Sequence, residues 1–207
     1  FNNLEIPEVE LEWSSDEASR VVGGKILKEY GLSNKFIIGG SADLAASTKQ
    51  IISDNTFGSN NYDGNSIEFG IREHAMGGIV NGLALHSKLI PYGSTFLVFS
   101  DYMRPSMRLA SLMKVNSLFI FTHDSIYLGE DGPTHQPVEH LMSLRLIPNL
   151  DVIRPANNKE LIHSYRFALE KRDNPKVIVL SRQNMKFFDH DVSYKDFQKG
   201  AYEFMPG

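Results

Sequence analysis

The segment Ser117–Thr122 has the sequence Ser-Leu-Phe-Ile-Phe-Thr, with four large apolar residues in a row at its centre. Such a run is typical of a strand whose two faces are both covered, as in a parallel sheet between layers of helices. Similar short apolar runs occur at 35–39, 67–69, 151–154 and 176–181. Helical patterns separate them. This alternation predicts an α/β fold: a parallel twisted sheet with right-handed crossovers and helices on both faces.

Five segments beside these runs have apolar residues at helical spacing. They are Ser14–Gly31, Arg72–His86, Phe96–Met113, Val138–Leu146 and Asn157–Leu169. Ser14 and Glu17 have the spacing of a capping box, which predicts the start of the first helix. Asn157 and Glu160 predict a cap for the last helix. Pro105 should bend or interrupt the third one.

The composition excludes several classes of protein. The net charge is −4 and no dense Lys/Arg run is present, which argues against a nucleic-acid or acidic-membrane surface. Without cysteine, disulfides, thiolate catalysis and cysteine-based zinc sites are excluded, and a cytoplasmic location is favoured over secretion. No apolar run has the length of a membrane span, and no signal peptide is visible.

Polar residues follow several of the predicted strands. Ser41–Asp43 comes after the first strand, Gly70–Glu73 after the second, His123–Ser125 after the central one and Arg182 after the last. In an open parallel sheet, ligands bind beyond the carboxyl ends of the strands. The sequence therefore predicts a binding site on this one rim of the sheet.

Four longer motifs lie in the same places. They are G-I-R-E-H-A-M at Gly70–Met76, T-H-D-S at Thr122–Ser125, G-E-D-G-P-T-H-Q-P at Gly129–Pro137, and P-Y-G-x-T-F-L-x-F-x-x-Y at Pro91–Tyr102. With these motifs the chain resembles the central, pyrimidine-binding domain of transketolase over residues 13–185. The resemblance implies a thiamine diphosphate-binding fold that holds the pyrimidine half of the cofactor.

Glu73 has an ordinary interpretation and a functional one. A carboxylate in the first turn of a helix is stabilised by the helix dipole by ~0.3–1 kcal/mol, and no further role is needed. The resemblance implies instead that Glu73 hydrogen-bonds a ring nitrogen of the aminopyrimidine. Its proton then favours the imino tautomer, which removes the proton from the thiazolium carbon. Such a carboxyl group must lie in a dry pocket that favours its neutral form.

Three aromatic residues recur at a spacing of three: Phe96, Phe99 and Tyr102. On one helix they would share a face, and plain core packing is the ordinary interpretation, nearly as good as the functional one for Phe96. The resemblance implies that they surround the pyrimidine ring, for which flat aromatic walls are suited. Phe99 is the strongest candidate.

The resemblance also implies a sugar-binding role for six residues: Arg20, Ser47, His123, Asp131, His135 and Arg182. His135 would bind oxygens of the donor ketose and relay protons, while Asp131 would recognise a hydroxyl group. The other four would face the sugar phosphate. Taken singly, the two histidines, Arg20 and Ser47 are ordinary surface, capping or loop residues. Arg145 and Arg154 are interpreted as surface charges.

Half of an active site is expected here. The resemblance implies that the diphosphate and a Mg²⁺ or Ca²⁺ ion are held by another domain, which has a G-D-G motif. Neither 63–65 nor 130–132 has that context, so no metal ligand is expected in this chain. The chain begins at Phe1, and we expect a piece of a longer protein. Residues 1–12 would be a linker from the missing diphosphate-binding domain, 13–185 the pyrimidine-binding domain, and 186–207 a linker and the start of a missing C-terminal domain.

The function implied is that of a transketolase fragment. The parent enzyme of the pentose phosphate pathway would transfer a two-carbon ketol unit from a ketose phosphate to an aldose phosphate. It would be a homodimer with the active site at the subunit interface, so the isolated fragment is expected to be inactive. Alternatives are dihydroxyacetone synthase, 1-deoxyxylulose-5-phosphate synthase, the beta subunit of 2-oxoacid dehydrogenases and a non-catalytic dimerisation module. The presence of Glu73, His123 and His135 argues against a module without catalytic function.

Overall fold

The computed structural model describes residues 6–9, 11, 15–188 and 190–204, and within them it contains seven α-helices and eight strands. In chain order they are β1 (Glu17–Ala18), α1 (Ser19–Ser33), β2 (Ile37–Ser41), α2 (Ala45–Thr48), β3 (Ser66–Glu68), α3 (Glu73–His86), β4 (Ile90–Phe96), α4 (Ser100–Met113), β5 (Leu118–Asp124), α5 (His140–Arg145), β6 (Asp151–Ile153), α6 (Asn158–Glu170), β7 (Lys176–Ser181), β8 (Asn184–Met185) and α7 (Tyr194–Phe197). None of these helices is long and apolar enough to cross a membrane.

Six of the strands form one parallel sheet in the order β3-β2-β4-β5-β7-β6, and β1 and β8 form a separate antiparallel pair. The register aligns the carboxyl ends of the central strands. Ser41 of β2 lies opposite Ser94 of β4, and Phe96 lies opposite Thr122 of β5. The predicted parallel sheet is confirmed, and its polar strand ends share one rim.

Two apolar cores lie on opposite faces of the sheet, as side chains that alternate along a strand require. On β5, Leu118 and Ile120 belong to the core formed with α1 and α6. Phe119 and Phe121 belong to the second core, which α3, α4 and α5 cover. The predicted layer of helices on each face is therefore confirmed.

The strand β4 has no counterpart among the predicted strands, although all seven of its residues are buried. It contains Pro91 and Gly93, which are both depleted in strands. Pro91 is tolerated because β4 pairs with β2 from Ile90 onward, whereas its pairing with β5 begins only at Tyr92. The missing N–H thus falls on the side where no neighbouring strand yet accepts it.

Four predicted helix boundaries are wrong by two residues or more, among them the start of α5, which is His140 and not Val138. The first helix begins at Ser19, because Glu17 pairs with Met185 in β1–β8 and does not complete a capping box. The predicted cap Ser14 lies outside the described residues, and α1 continues past Gly31 to Ser33. Helix α4, the third of the predicted helices, begins at Ser100 and not at Phe96, since Phe96 ends β4.

Two other helix predictions have different outcomes. The cap at Asn157 is confirmed, because its side chain accepts a hydrogen bond of 2.9 Å from the backbone N–H of Glu160. Pro105 does not interrupt α4, which continues through it to Met113.

Candidate functional site

The site is built where β2, β4, β5 and β7 end. Strand β5 finishes in an irregular register between Phe121 and Asp124, and His123 there adopts a left-handed backbone conformation with φ of 64°. Such strained conformations in non-glycine residues cluster at functional sites. The ring of His123 stacks on the ring of Phe96, with centroids 3.6 Å apart and planes tilted by 24°. The polar end of β5 thus contacts the aromatic end of β4.

Phe96, Phe99 and Tyr102, hereafter the aromatic series, form a row of stacked rings. The Phe96 and Phe99 centroids are 5.8 Å apart with planes at 8°, and those of Phe99 and Tyr102 are 6.0 Å apart at 25°. The prediction that the three residues share one helix is wrong. Phe96 ends β4, Phe99 closes a 3₁₀ turn at Leu97–Phe99, and Tyr102 lies in α4. Exposure rises along the row, from 7% at Phe96 to 64% at Tyr102.

Glu73 is the first residue of α3 and is 9% exposed. Among the described residues, none forms a hydrogen bond or an ion pair with its carboxyl group. Its carboxylate oxygens are not among the fully buried polar atoms, so the carboxyl group reaches the surface of the rim, where a ligand or another chain can bind it. Gly70, with φ of 65°, turns the chain from β3 toward α3, and Arg72 Nη1 donates to the carbonyl oxygen of Phe69 at 3.1 Å.

Helix α3 is held close to the elements that bear the aromatic series. An added Cβ at Gly77 would lie 2.7 Å from Ser106 Cβ of α4, so the two helices pack closely. Ser106 Oγ also donates to the carbonyl oxygen of His74 at 3.1 Å. The stacked aromatic rings and the unpaired carboxyl group of Glu73 are therefore fixed relative to one another. These residues fit a planar heteroaromatic ring with a hydrogen-bonding nitrogen.

Arg20, His123, His135 and Arg182, hereafter the basic group, lie within electrostatic range of one another. Burial lowers the pKa of His123 to about 3, and the charges of Arg20, Arg182 and His135 act in the same direction. Its Nδ1 lies 2.8 Å from Thr122 Oγ1. His123 is therefore neutral at ordinary pH and offers a hydrogen bond.

Arg20 is fixed by a contact with the segment after β2. Its Nη1 donates to the backbone carbonyl oxygen of Ser47, which brings together two residues that are 27 positions apart. Its Nε is buried and has no hydrogen-bond partner among the described residues. Burial and the nearby Arg182 lower the pKa of Arg20, whereas exposed Asp131 raises it. Unpaired donors and concentrated positive charge suit an anion.

His135 joins the aromatic series to the basic group. It closes a 3₁₀ turn at Pro133–His135, and its ring meets Phe96 and Phe99 edge-on at centroid distances of 6.1 and 5.5 Å. Its Nδ1 and Thr134 Oγ1 share a hydrogen bond of 2.9 Å. The structure thus brings the predicted aromatic and sugar-site residues to one rim.

Two features of this rim were missed. Arg154 is not a simple surface charge, because its Nε forms an ion pair with the carboxylate of Asp124, whose side chain is 8% exposed. Arg145 is exposed, as predicted. The hydroxyl groups of Ser41, Ser94 and Thr95 are buried without a hydrogen-bond partner in the described part of the chain. Ser41 and Arg154 could have been found from their positions at the ends of predicted strands, whereas Ser94 and Thr95 lie in β4, which was not predicted.

Other groups and cavities lie beside this arrangement. Asp101, Glu139 and His140 bring ligand-type atoms within 4.8 Å of one another, and His140 Nε2 donates to Asp101 at 3.1 Å, which ties α4 to α5. Cavities of about 480 Å³ and 510 Å³ lie beside α6 and beside the ends of β2 and β3. Neither of these two cavities is lined by Glu73 or the aromatic series, whose outer end, Tyr102, is exposed.

Comparison with known proteins gives consistent matches. The family model described as "Transketolase, pyrimidine binding domain" matches residues 18–187. A transketolase of Staphylococcus aureus strain MW2 is 47% identical over 201 residues, which cover 96% of this chain and 30% of that protein. The chain therefore spans about a third or less of the length of the curated relatives that it matches.

Solved structures give the same result. A transketolase from Leishmania mexicana superposes with a TM-score of 0.88 at 40% identity, covering 93% of this chain and 29% of that one. A transketolase from Pichia stipitis in complex with sedoheptulose 7-phosphate gives a TM-score of 0.89 at 37% identity, with coverages of 94% and 30%.

Proposed function

This chain belongs to the transketolase pyrimidine-binding domain family, and we propose that it supplies the pyrimidine-binding half of a transketolase active site. The parent enzyme would transfer a two-carbon ketol unit from a ketose phosphate to an aldose phosphate. The observation that carries this proposal is that Glu73, a mostly buried residue with an unpartnered carboxyl group, and the stacked aromatic series lie on one rim. A domain with a purely structural role has no use for either.

Glu73 and the aromatic series would hold the aminopyrimidine ring of thiamine diphosphate. Phe99 would stack on the ring and Tyr102 would close its outer side, while the Glu73 carboxyl group would hydrogen-bond a ring nitrogen and hold a proton there. Thiamine diphosphate itself supplies the carbanion chemistry of the reaction, and the protein orients and polarises it. The position of Glu73 supports this role, because only 9% of the residue is exposed and its carboxyl group has no partner among the described residues.

The sugar would lie against the basic group. His135 would bind oxygens of the donor ketose and move protons, and Asp131 would recognise a hydroxyl group. Arg20, Ser47 and Arg182 would hold the phosphate, with neutral His123 as a hydrogen-bonding neighbour. The unpartnered buried Nε of Arg20 supports an anionic ligand at this point.

The remainder of the site would come from elsewhere. We propose that 13–185 form the pyrimidine-binding domain, that 1–12 lead in from a diphosphate-binding domain, and that 186–207 lead out to a C-terminal domain. The diphosphate and its Mg²⁺ or Ca²⁺ ion would be held by the first of these, in the other subunit of a homodimer. The exposure of Tyr102 at the outer end of the aromatic series supports a pocket completed by another chain. A cytoplasmic enzyme of the pentose phosphate pathway fits this assembly.

The isolated chain tests this division of the site. We expect no turnover with ribose 5-phosphate and xylulose 5-phosphate, and calorimetry should detect at most weak binding of thiamine diphosphate that magnesium does not change. The reason is that the groups for the diphosphate and the metal lie outside this domain. Tight, magnesium-dependent binding would show that the chain holds a complete site.

Replacing Arg182 by alanine in the assembled enzyme tests the phosphate site. Losing one charge-assisted contact costs ~1.5–3 kcal/mol, so the KM for phosphorylated donors should rise by roughly 10- to 150-fold. The KM for hydroxypyruvate, a donor without phosphate, should change much less. The exposed Arg145→Ala variant is the matched control and should leave both constants unchanged. Equal losses for both donors in Arg182→Ala would assign Arg182 a structural role.

A further inference from the structure

A buried amide lies behind the basic group. The side chain of Gln50 is fully buried, and its polar atoms are all satisfied. Nε2 donates to the backbone carbonyl oxygens of Arg20 at 2.9 Å and Thr48 at 3.1 Å. Oε1 accepts a hydrogen bond of 2.7 Å from the hydroxyl group of Tyr165 in α6. One amide therefore joins α1, the segment after α2 and α6.

Arg20 and the segment 47–50 are joined by two hydrogen bonds, one donated from each side. Gln50 binds the backbone of Arg20, while the guanidinium of Arg20 binds the backbone of Ser47. The two pieces of chain also meet without an intervening side chain, because a Cβ at Gly24 of α1 would overlap the carbonyl oxygen of Lys49. The position of the Arg20 guanidinium therefore depends on how this segment is fixed.

The orientation of the Gln50 amide depends on its partners. Two carbonyl oxygens require the NH₂ end to face Arg20 and Thr48, which leaves Oε1 facing the opposite way. There the Tyr165 hydroxyl is its only partner in the described part of the chain. Without this hydroxyl, Oε1 would be a buried acceptor without a donor, and such groups drive local rearrangement.

We propose that Tyr165 and Gln50 are positioning residues that set the Arg20 guanidinium and the Ser47 segment for a phosphorylated substrate. This inference rests on the proposed function, since it concerns the same phosphate site. Tyr165 lies in α6 and packs in the core shared with α1, so its hydroxyl group acts on the site through Gln50.

The test is Tyr165→Phe in the assembled enzyme, which removes the hydroxyl group and keeps the ring. The KM for xylulose 5-phosphate should rise by roughly 3- to 10-fold, the effect of one hydrogen bond, while kcat and the KM for hydroxypyruvate stay unchanged. Tyr30→Phe is the matched control, because Tyr30 is equally buried in the same core and its hydroxyl group has no hydrogen-bond partner among the described residues. No change in Tyr165→Phe, or equal changes for both donors, would overturn the proposal.

Arg20→Ala separates this inference from the proposed function. If Arg20→Ala impairs both donors equally, the phosphate site itself is wrong. If Arg20→Ala is selective for the phosphorylated donor and Tyr165→Phe is not, only the positioning role fails. Tyr165→Phe should raise the KM less in the Arg20→Ala background than by itself, because part of its effect passes through Arg20, and fully additive effects would contradict that. Should Tyr165→Phe not fold, Gln50→Met, of similar length, replaces it in the same comparison.

Discussion

Glutamine in place of Glu73 is expected to slow proton exchange at the reacting carbon of the cofactor by roughly 10²- to 10⁴-fold in the assembled enzyme, the usual contribution of one positioned acid or base. Glutamine keeps the shape of the side chain and can still hydrogen-bond, but it cannot hold or release the proton. Folding should survive, since the carboxyl group contributes only the helix-dipole effect of ~0.3–1 kcal/mol. Deuterium exchange followed by NMR and thermal unfolding measure the two quantities separately.

Glu68→Gln is the matched control for this experiment. Glu68 is an exposed carboxylate that ends β3 on the same rim, so its replacement makes the same carboxyl-to-amide change near the site at a residue with no assigned role. It should leave the exchange rate within a small factor of normal. A normal rate in Glu73→Gln would refute the assigned role, and a similar loss in both variants would assign the effect to the net charge of the rim.

The sequence was sufficient for the architecture where apolar runs are unbroken. The run at 117–122 predicted a doubly covered strand, and β5 has Phe119 in one core and Ile120 in the other. The sequence pattern did not predict β4, a strand that is central in the sheet but contains Pro91 and Gly93. Whether β4 forms a strand depends on the strands that pair with it on both sides, and the pattern of apolar residues in one segment contains no information on those strands.

The candidate site was predictable in position and less so in geometry. Polar residues after strands predicted the rim that holds Glu73, His123 and Arg182, because all parallel strands end at one edge. The spacing of the aromatic series suggested one helix, whereas the rings stack across a strand end, a 3₁₀ turn and a helix. The pairing of Arg154 with Asp124 joins residues 30 positions apart, and such contacts follow only from the tertiary fold.

Alanine in place of Gly40 should be the most damaging change outside the chemistry. Gly40 lies in the buried strand β2, opposite Ile67 of the neighbouring β3, and an added Cβ would overlap the carbonyl oxygen of Ile67. Backbone cannot move aside as a flexible side chain can, so β2 and β3 would have to separate. We expect a loss of roughly 3 kcal/mol or more in the free energy of unfolding, and a Tm lower by about 10 °C.

Gly78→Ala provides the contrast in the same chain. Gly78 lies on the exposed side of α3, and an added Cβ would meet no atom within 4 Å. Alanine is favoured over glycine in a helix, so this variant should gain about 0.5–1 kcal/mol. Urea unfolding of the 207-residue chain gives both values. If Gly40→Ala were as stable as Gly78→Ala, β3 would not be held against β2 as closely as the structure shows. The positions of Glu68 and of the Gly70 turn that leads to Glu73 would then not be fixed by this strand pair.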